Sequence, residues 1–157
     1  MDFREDRVGS ALAGTNPTVL ARMTAGFVVI GDGQHLPGYC VLITDDPNAN
    51  GLVDLEPAQR LAFLQDMTIL AEAVQTVCSR RDPQFRRMNL EIQGNTDAFL
   101  HAHVTPRYEW EPEDIVGWPA ALHHWTKRVD YEATALGPRH DELRAEIVRE
   151  IEKARTP

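Results

Sequence analysis

Two runs of alternating apolar and polar residues constrain the fold of this chain more than any other feature. In residues 88–93 and again in residues 99–105 every second residue is apolar, and Gly94-Asn95-Thr96-Asp97 lies between the runs. A period of two places alternate side chains on opposite faces of a β-strand. The intervening residues are typical turn formers, which allow the two strands to pair antiparallel. Residues 87–107 are therefore predicted to form a β-hairpin.

Shorter elements are predicted upstream of this hairpin. Residues 27–30 and 39–43 are rich in β-branched side chains, are bounded by Gly, Pro or Asp, and are too short for independent helices, so both are predicted strands. Asn16-Pro17 combines a helix-capping residue with a proline at the first helical position. This pair predicts a short helix over residues 17–24.

The longest predicted helix begins at Glu56-Pro57 and ends at Arg80-Arg81, where two cations oppose the negative end of the helix dipole. A last helix is predicted from Pro138 onward, with Leu143, Ile147 and Ile151 at four-residue intervals. The apolar face predicted for the longest helix consists of Leu61, Leu64, Met67, Ala71, Val74 and Cys78.

The overall charge argues against a polyanionic partner. The formal net charge is -8, and a broad acidic surface repels nucleic acid at long range. A small anionic substrate remains compatible with this charge, because a local basic pocket can act at short range. Polymeric nucleic acid is therefore not expected as a partner.

The sequence indicates a cytoplasmic protein. The first ten residues are charged from the second onward and lack the apolar core of a signal peptide, and no apolar run approaches the ~20 residues of a membrane span. Cys40 and Cys78 lie in apolar stretches without a nearby cysteine, which is typical of reduced thiols. A membrane partner is not expected.

The polar face of the second hairpin strand carries His101 and His103. Their Cα atoms should lie roughly 6.5 to 7 Å apart on one face, so both rings can reach one phosphoryl group. One neutral imidazole can attack phosphorus while the other donates a hydrogen bond to an oxygen that gains charge. The same pair also suits zinc, with Glu91 as a third ligand. Spacing alone leaves both kinds of site open.

Residues 89–108, NLEIQGNTDAFLHAHVTPRY, resemble the signature of the histidine-triad (HIT) superfamily, in which alternating histidines precede Pro-Arg. The resemblance extends to residues 32–39 and to the helix from Pro57, and covers about residues 15 to 110. It implies an α+β fold with an antiparallel sheet of about five strands and a main helix packed across it. We expect residues 1–157 to form one such domain, with a C-terminal helical extension from about residue 111.

The histidines can be placed on the family pattern in two registers. Registered on Pro106-Arg107, the first triad histidine is replaced by Phe99, and His101 takes the place of the middle histidine, which is the family's nucleophile. The other register makes His103 central and Thr105 the substituted third member. We favour the first, because Gly94-Asn95 and Pro106-Arg107 then both fall at their family spacing. It implies a covalent nucleotidyl intermediate on His101, with His103 holding the phosphate oxygens.

Five further residues complete the expected site. Asn89 is assigned to the catalytic set, since its amide can donate to the phosphate or to the nucleophilic ring. The backbone amides of Gly94 and Asn95 can approach an anion closely. The resemblance implies that Asp32 and Gln34 hold the ribose and the base. The same residues also suit an ordinary strand, turn or loop.

Downstream residues are interpreted as structural. Arg107 is expected either to offer a fixed cation or to pair with Glu109 or Glu111. His123 and His124 are interpreted as surface residues.

The expected activity is that of a nucleotide phosphohydrolase or nucleotidyl transferase acting on dinucleoside polyphosphates, nucleotide phosphoramidates or similar conjugates. The covalent mechanism requires no cofactor, although a divalent cation can accompany the substrate phosphates. The resemblance also implies a homodimer. Because Phe99 cannot form a side-chain hydrogen bond, the alternative hypothesis is a nucleotide-binding module with little turnover. A His-x-His metal site is the third hypothesis.

Overall fold

One antiparallel sheet organises the described chain, with its strands in the order β1-β2-β3-β5-β4. The computed structural model describes residues 2–126 and 129–155, apart from the side chains of His124 and Trp125. The strands are β1 (Val19–Arg22), β2 (Gly26–Ile30), β3 (Cys40–Thr44), β4 (Phe85–Ile92) and β5 (His101–Tyr108). The helices are α1 (Arg7–Leu12), α2 (Pro57–Arg81), α3 (Tyr131–Thr134) and α4 (Asp141–Arg155), with 3₁₀ segments at Leu52–Asp54, Ala120–Thr126 and Pro138–His140.

The hairpin predicted from the alternating pattern is present as β4 and β5. β5 also pairs with β3, so the strand that carries the histidines is internal and β4 lies at the edge of the sheet. The α+β architecture, with five strands and a main helix across one face, is confirmed. The internal position of β5 holds its backbone by hydrogen bonds on both sides, which makes it a rigid support for a site.

Helix α2 has the predicted bounds, but the face it buries overlaps the predicted one only in part. Val74 and Cys78 are buried as predicted, but Leu61 is 69% exposed. The other buried apolar residues of the helix lie outside the predicted set and are Phe63, Leu70, Ala73 and Val77. Apolar residues occur on several sides of this helix, so a spacing of three and four residues is compatible with more than one buried face. Contact with the sheet selects the one that is buried.

The helix predicted over residues 17–24 is wrong, because strand β1 occupies that segment. The Asn16 side chain accepts hydrogen bonds from the Thr18 backbone N–H at 3.0 Å and from its hydroxyl at 2.6 Å, so it closes a turn and caps no helix. Val19 then pairs with Val29 of β2. Cross-strand pairing outweighs the local capping signal.

The C-terminal helix α4 packs beside α2 and β1. Leu143, Ile147 and Ile151 are buried as predicted and belong to the same apolar core as the sheet. Glu146 forms ion pairs with Arg80 and Arg81 at 2.8 and 2.6 Å. Within the described residues, no helix combines the length and the apolar character needed to cross a membrane.

The loop between β2 and β3 depends on a glycine. Gly38 has a φ of +96°, a conformation that L-residues with a side chain rarely adopt. A Cβ at this position would lie 2.4 Å from Cys78 Sγ of α2. Gly38 therefore lets the loop turn tightly against α2 and delivers the next residue, Tyr39, to the start of β3.

Candidate active site

The pairing of β5 with its neighbours sets the direction of the two histidines. His103 lies opposite Val41 of β3 and Glu91 of β4, and residues directly opposite each other project from the same face. Ala102, between the histidines, points to the other face and is fully buried in the core that includes α2. His101 and His103 therefore project together from the face that α2 does not cover.

The two imidazole rings are in contact and open into one cavity. Their centroids are 4.9 Å apart and their planes meet at 84°. Both rings line a cavity of about 320 Å³. The other lining side chains combine an apolar set, Val29, Val41, Ile43 and Phe99, with a polar set that includes Arg7, Asp32 and Asp97.

A backbone carbonyl fixes the orientation of the His101 ring. The Nδ1 atom of His101 lies 2.8 Å from the carbonyl oxygen of Phe99. Because a carbonyl oxygen only accepts hydrogen bonds, His101 donates from Nδ1. In the neutral ring the lone pair is then on Nε2, the atom that a nucleophilic imidazole uses.

A second contact orients His103. The Tyr39 hydroxyl lies 2.7 Å from His103 Nδ1, and the two rings are nearly parallel, at 12° with centroids 6.0 Å apart. Burial raises the pKa of Tyr39 well above its ordinary value, so the phenol keeps its proton. Sequence reasoning missed this residue, since the only signal was its place directly after Pro37-Gly38.

This arrangement matches known proteins in fold. A scan against family models and a search of curated proteins gave no match. The chain superposes on a histidine triad protein from Sinorhizobium meliloti with a TM-score of 0.71 and 16% identity, covering 96% of this chain and 95% of that chain. The chain has the histidine-triad fold. Identities this low carry the likeness of fold and nothing further.

Other histidine triad structures also superpose on this chain. A histidine triad protein from Marinobacter aquaeolei superposes with a TM-score of 0.66 and 19% identity over 87% of this chain and 89% of that chain. A hypothetical histidine triad nucleotide-binding protein from Sulfolobus tokodaii gives 0.63 and 10% over 93% and 91%. The resemblance inferred from residues 89–108 is thereby supported at the level of the whole fold.

In this histidine-triad fold Phe99 precedes β5 and packs on the nucleophile candidate. Its ring centroid is 5.0 Å from that of His101, at 49°, and the side chain lines the cavity. The hydrogen bond to His101 comes from the Phe99 backbone. The hydrogen bond that orients His101 is therefore independent of the side chain at position 99.

Asp32 lies in the cavity wall, as the sequence interpretation requires, but it is paired with cations. Arg7 of α1 approaches its Oδ2 atom at 2.5 Å and Arg4 Nε at 3.4 Å. Arg7 also lines the cavity. A substrate hydroxyl that binds Asp32 must therefore share the carboxylate with a guanidinium, and an N-terminal helix that sequence reasoning did not predict contributes to the site.

Gln34 is not among the residues that line the cavity with the histidines. Its side chain is buried, and its amide donates to the carbonyls of Gly31 and Tyr39, both at 2.9 Å, while accepting from Gly38 N–H at 2.9 Å. These bonds hold the loop before β3 in shape. The structure thus gives Gln34 a scaffolding position and not the predicted contact with a base or ribose.

Gly94 and Asn95 lie in the exposed connection between β4 and β5. Gly94 has no positive φ, and a Cβ there would have no neighbour within 4 Å, so nothing in its surroundings requires a glycine. Asp97 and Phe99 of the same connection line the cavity instead.

Asn89 is separated from the histidine pair by the strand register. It lies opposite Thr105 and lines another cavity with Arg86 and Arg87. Glu91 is the residue opposite His103. Alternation correctly assigned Asn89 to the histidine face of the sheet, but its partner Thr105 is two residues from His103 and four from His101, so the register separates Asn89 from the nucleophilic ring.

The metal alternative gains no support from the donor groups. Among the described residues, no three His, Cys, Asp or Glu side chains are grouped closely enough to hold a metal ion. Glu91 and His103 instead line a small cavity of about 60 Å³.

The segment after β5 crosses the histidine face of the sheet and is held there by a buried ionic cluster. Arg107 binds Glu111, as one of the two predicted pairings required, with its Nη2 at 2.7 Å and Nε at 2.9 Å from the carboxylate. His123 Nε2 lies 2.9 Å from the same carboxylate. The surface interpretation of His123 is wrong, because the residue is only 4% exposed; the His124 side chain is outside the described residues.

The chain beyond this cluster completes the cavity wall. The Leu136 N–H donates to the Asp32 carbonyl, and the Gln34 N–H donates to the Thr134 carbonyl, both at 2.8 Å. Tyr131 of α3 thereby comes to line the cavity with the histidines.

Proposed function

We propose that this protein is a nucleotide phosphohydrolase or nucleotidyl transferase in which His101 forms a covalent nucleotidyl intermediate. The observation that carries the proposal is the hydrogen bond from His101 Nδ1–H to the Phe99 carbonyl, which leaves the Nε2 lone pair for attack. The neighbouring His103 ring, 4.9 Å away, provides a donor for the phosphate oxygens or the leaving group.

The proposed reaction has two steps. The Nε2 lone pair of His101 attacks phosphorus, a P–N bond forms, and the bond from phosphorus to the leaving group breaks with its electron pair on that group. The resulting imidazolium keeps its Nδ1 proton, which stays hydrogen-bonded to the Phe99 carbonyl oxygen. Water or another hydroxyl acceptor then attacks the same phosphorus and releases its proton to solvent, the P–N bond breaks with its electron pair on Nε2, and neutral His101 returns. No cofactor takes part, and a divalent cation would enter only with the substrate phosphates.

The expected substrates are dinucleoside polyphosphates, nucleotide phosphoramidates or related conjugates. The lining of the cavity of about 320 Å³ combines apolar side chains with charged ones and the two histidines, a mixture that suits a nucleoside joined to a phosphoryl group. The free thiols of Cys40 and Cys78 support the proposal that the protein acts in the reducing cytoplasm.

A nucleotide-binding module with little turnover is the competing proposal. The reason to consider it is that Phe99 takes the place of the first triad histidine. Its weak point is that orientation of His101 comes from a backbone carbonyl, which any residue at position 99 supplies. Loss of a histidine side chain there does not by itself disable the nucleophile.

Single-turnover trapping tests the covalent step. Protein in excess over a diadenosine polyphosphate should yield a nucleotidyl adduct when quenched in alkaline denaturant, since an N–P bond is labile to acid. Fragmentation mass spectrometry should place the adduct on His101. An adduct on His103 would support the other register, and binding without any adduct would support the binding module.

We also propose a homodimer that pairs through the edge strand. β4 lies at the edge of the sheet, and its Leu90 and Ile92 are 41% and 39% exposed. An edge strand with exposed apolar side chains is prone to pair with another chain.

Sedimentation velocity should give twice the 17.7 kDa chain mass. Leu90→Glu should shift the protein to monomer, because it places a charge in the proposed contact. Val53→Glu is the matched control, since Val53 is also exposed but belongs to the segment Leu52–Asp54 and not to β4. A parent protein that sediments as a monomer would contradict the proposal.

A further inference from the structure

We propose that Tyr39 is a positioning residue that fixes His103 as a hydrogen-bond donor toward the reacting phosphoryl group. It acts through the His103 ring and gives the two histidines opposite tautomers. The inference rests on the proposed function for the role of His103, while the tautomer itself is a property of the protein without substrate.

The direction of the Tyr39–His103 hydrogen bond follows from the surroundings of the phenol. Tyr39 Oη is 2.7 Å from His103 Nδ1, and among the described residues this ring nitrogen is the recorded hydrogen-bond partner of the hydroxyl. Burial raises the pKa of Tyr39, so the phenol keeps its O–H, and the unprotonated ring nitrogen at 2.7 Å is the acceptor that the geometry offers it. Tyr39 therefore donates to Nδ1, and the proton of the neutral His103 ring is on Nε2.

The loop before β3 holds the phenol in place. The Tyr39 carbonyl accepts from Gly31 N–H at 3.0 Å and from the Gln34 amide at 2.9 Å, while its N–H donates to the Leu36 carbonyl at 3.1 Å. The ring lies directly against the backbone at Gly31, where an added Cβ would come within 2.2 Å of Tyr39 Cδ1. Tyr39 is thus preorganised, and Gly31 is the residue that makes room for it.

As a consequence, the two chemically identical side chains have different roles. His101 carries its proton on Nδ1 and presents the Nε2 lone pair, whereas His103 carries its proton on Nε2. A lone pair and a donor are the two groups that attack on phosphorus and charge development on oxygen require. Without the Tyr39 hydroxyl, His103 Nδ1 loses the donor that favours a proton on Nε2, so a smaller share of the protein presents the Nε2–H donor.

Nitrogen-15 NMR of the imidazole rings tests the assignment directly. In the parent protein, at a pH where both rings are neutral, His101 should show a protonated Nδ1 and His103 a protonated Nε2. Tyr39→Phe should move the His103 nitrogen shifts toward a larger share of the Nδ1-protonated tautomer and leave those of His101 unchanged. Gly31→Ala, which displaces the Tyr39 ring, should have the same effect by an independent route.

Tyr108→Phe is the matched control for the NMR measurement. It removes another buried phenol hydroxyl, which donates to the Pro37 carbonyl, and should leave the His103 tautomer unchanged. If the His103 nitrogens are the same in Tyr39→Phe as in the parent protein, or if His103 is protonated on Nδ1 in the parent, the proposal is wrong.

Kinetics provide the second readout. Tyr39→Phe should lower kcat by about ten- to a hundredfold with little change in KM, as expected for a donor that strengthens in the transition state. A rise in KM alone would show that Tyr39 contributes only to binding and would overturn its positioning role. If the parent protein turns over no nucleotide, the proposed function fails, while the NMR result still decides which tautomer Tyr39 imposes.

Discussion

His101→Ala should lower kcat/KM for adenosine phosphoramidate or a diadenosine polyphosphate by roughly a thousandfold or more, as expected when a covalent nucleophile is removed. The variant should also form no nucleotidyl adduct. The physical reason is that the hydrogen bond to the Phe99 carbonyl, at 2.8 Å, leaves the lone pair of the neutral His101 ring on Nε2, and the ring lines the cavity. Steady-state assays with a panel of both substrate classes measure the effect.

His140→Ala is the matched control for this variant. His140 lies in the segment Pro138–His140 and contacts Gly137, outside the cavity lining, so this histidine-to-alanine change should leave turnover at the parent level. Equal turnover by the parent protein and His101→Ala would remove the proposed mechanism.

Glu111→Ala should lower the free energy of unfolding by about 3 to 5 kcal/mol, the usual cost of leaving a buried charge without its partner. The Glu111 side chain is 0% exposed, and its carboxylate contacts Arg107 at 2.7 Å and His123 at 2.9 Å. It also accepts from the Tyr108 backbone N–H at 2.7 Å. Its loss leaves the Arg107 guanidinium buried with only backbone carbonyls as acceptors.

Chemical denaturation measures this change. Glu109→Ala is the control, because the Glu109 side chain is 60% exposed and lies 3.6 Å from Arg86; it should change stability by less than about 1 kcal/mol. A double variant in which apolar residues replace both Arg107 and Glu111 should lower the free energy of unfolding by less than Glu111→Ala alone. A Glu111→Ala variant as stable as Glu109→Ala would show that the cluster does not hold the segment after β5.

The histidine pair could be predicted because it depends only on local geometry. A period of two is a property of any strand, so His101 and His103 had to share a face wherever β5 paired. The residues around them depend on how strands align. Asn89, Glu91 and Gln93 share the histidine face equally well by alternation, and only the pairing of Glu91 with His103 decides which of them is near.

In the loop before β3, too, the sequence does not reveal which polar side chains face the cavity. Asp32 and Gln34 are polar residues in a loop, and composition cannot tell a side chain that faces a ligand from one that satisfies the backbone. The structure directs Asp32 to the cavity and Gln34 inward. Tyr39 gave no sequence signal for its contact with His103, because the two residues are 64 positions apart.

By itself the sequence determined the β-hairpin, the bounds of the longest helix and the shared face of the two histidines, since these follow from periodicity and capping within one segment. Tertiary structure alone decided which side of α2 is buried, which residue lies opposite each histidine, and that Arg7, Tyr39 and Tyr131 reach the cavity. The physical reason is that those outcomes depend on contacts between distant segments, where packing and hydrogen bonding select among arrangements that local preference leaves equivalent.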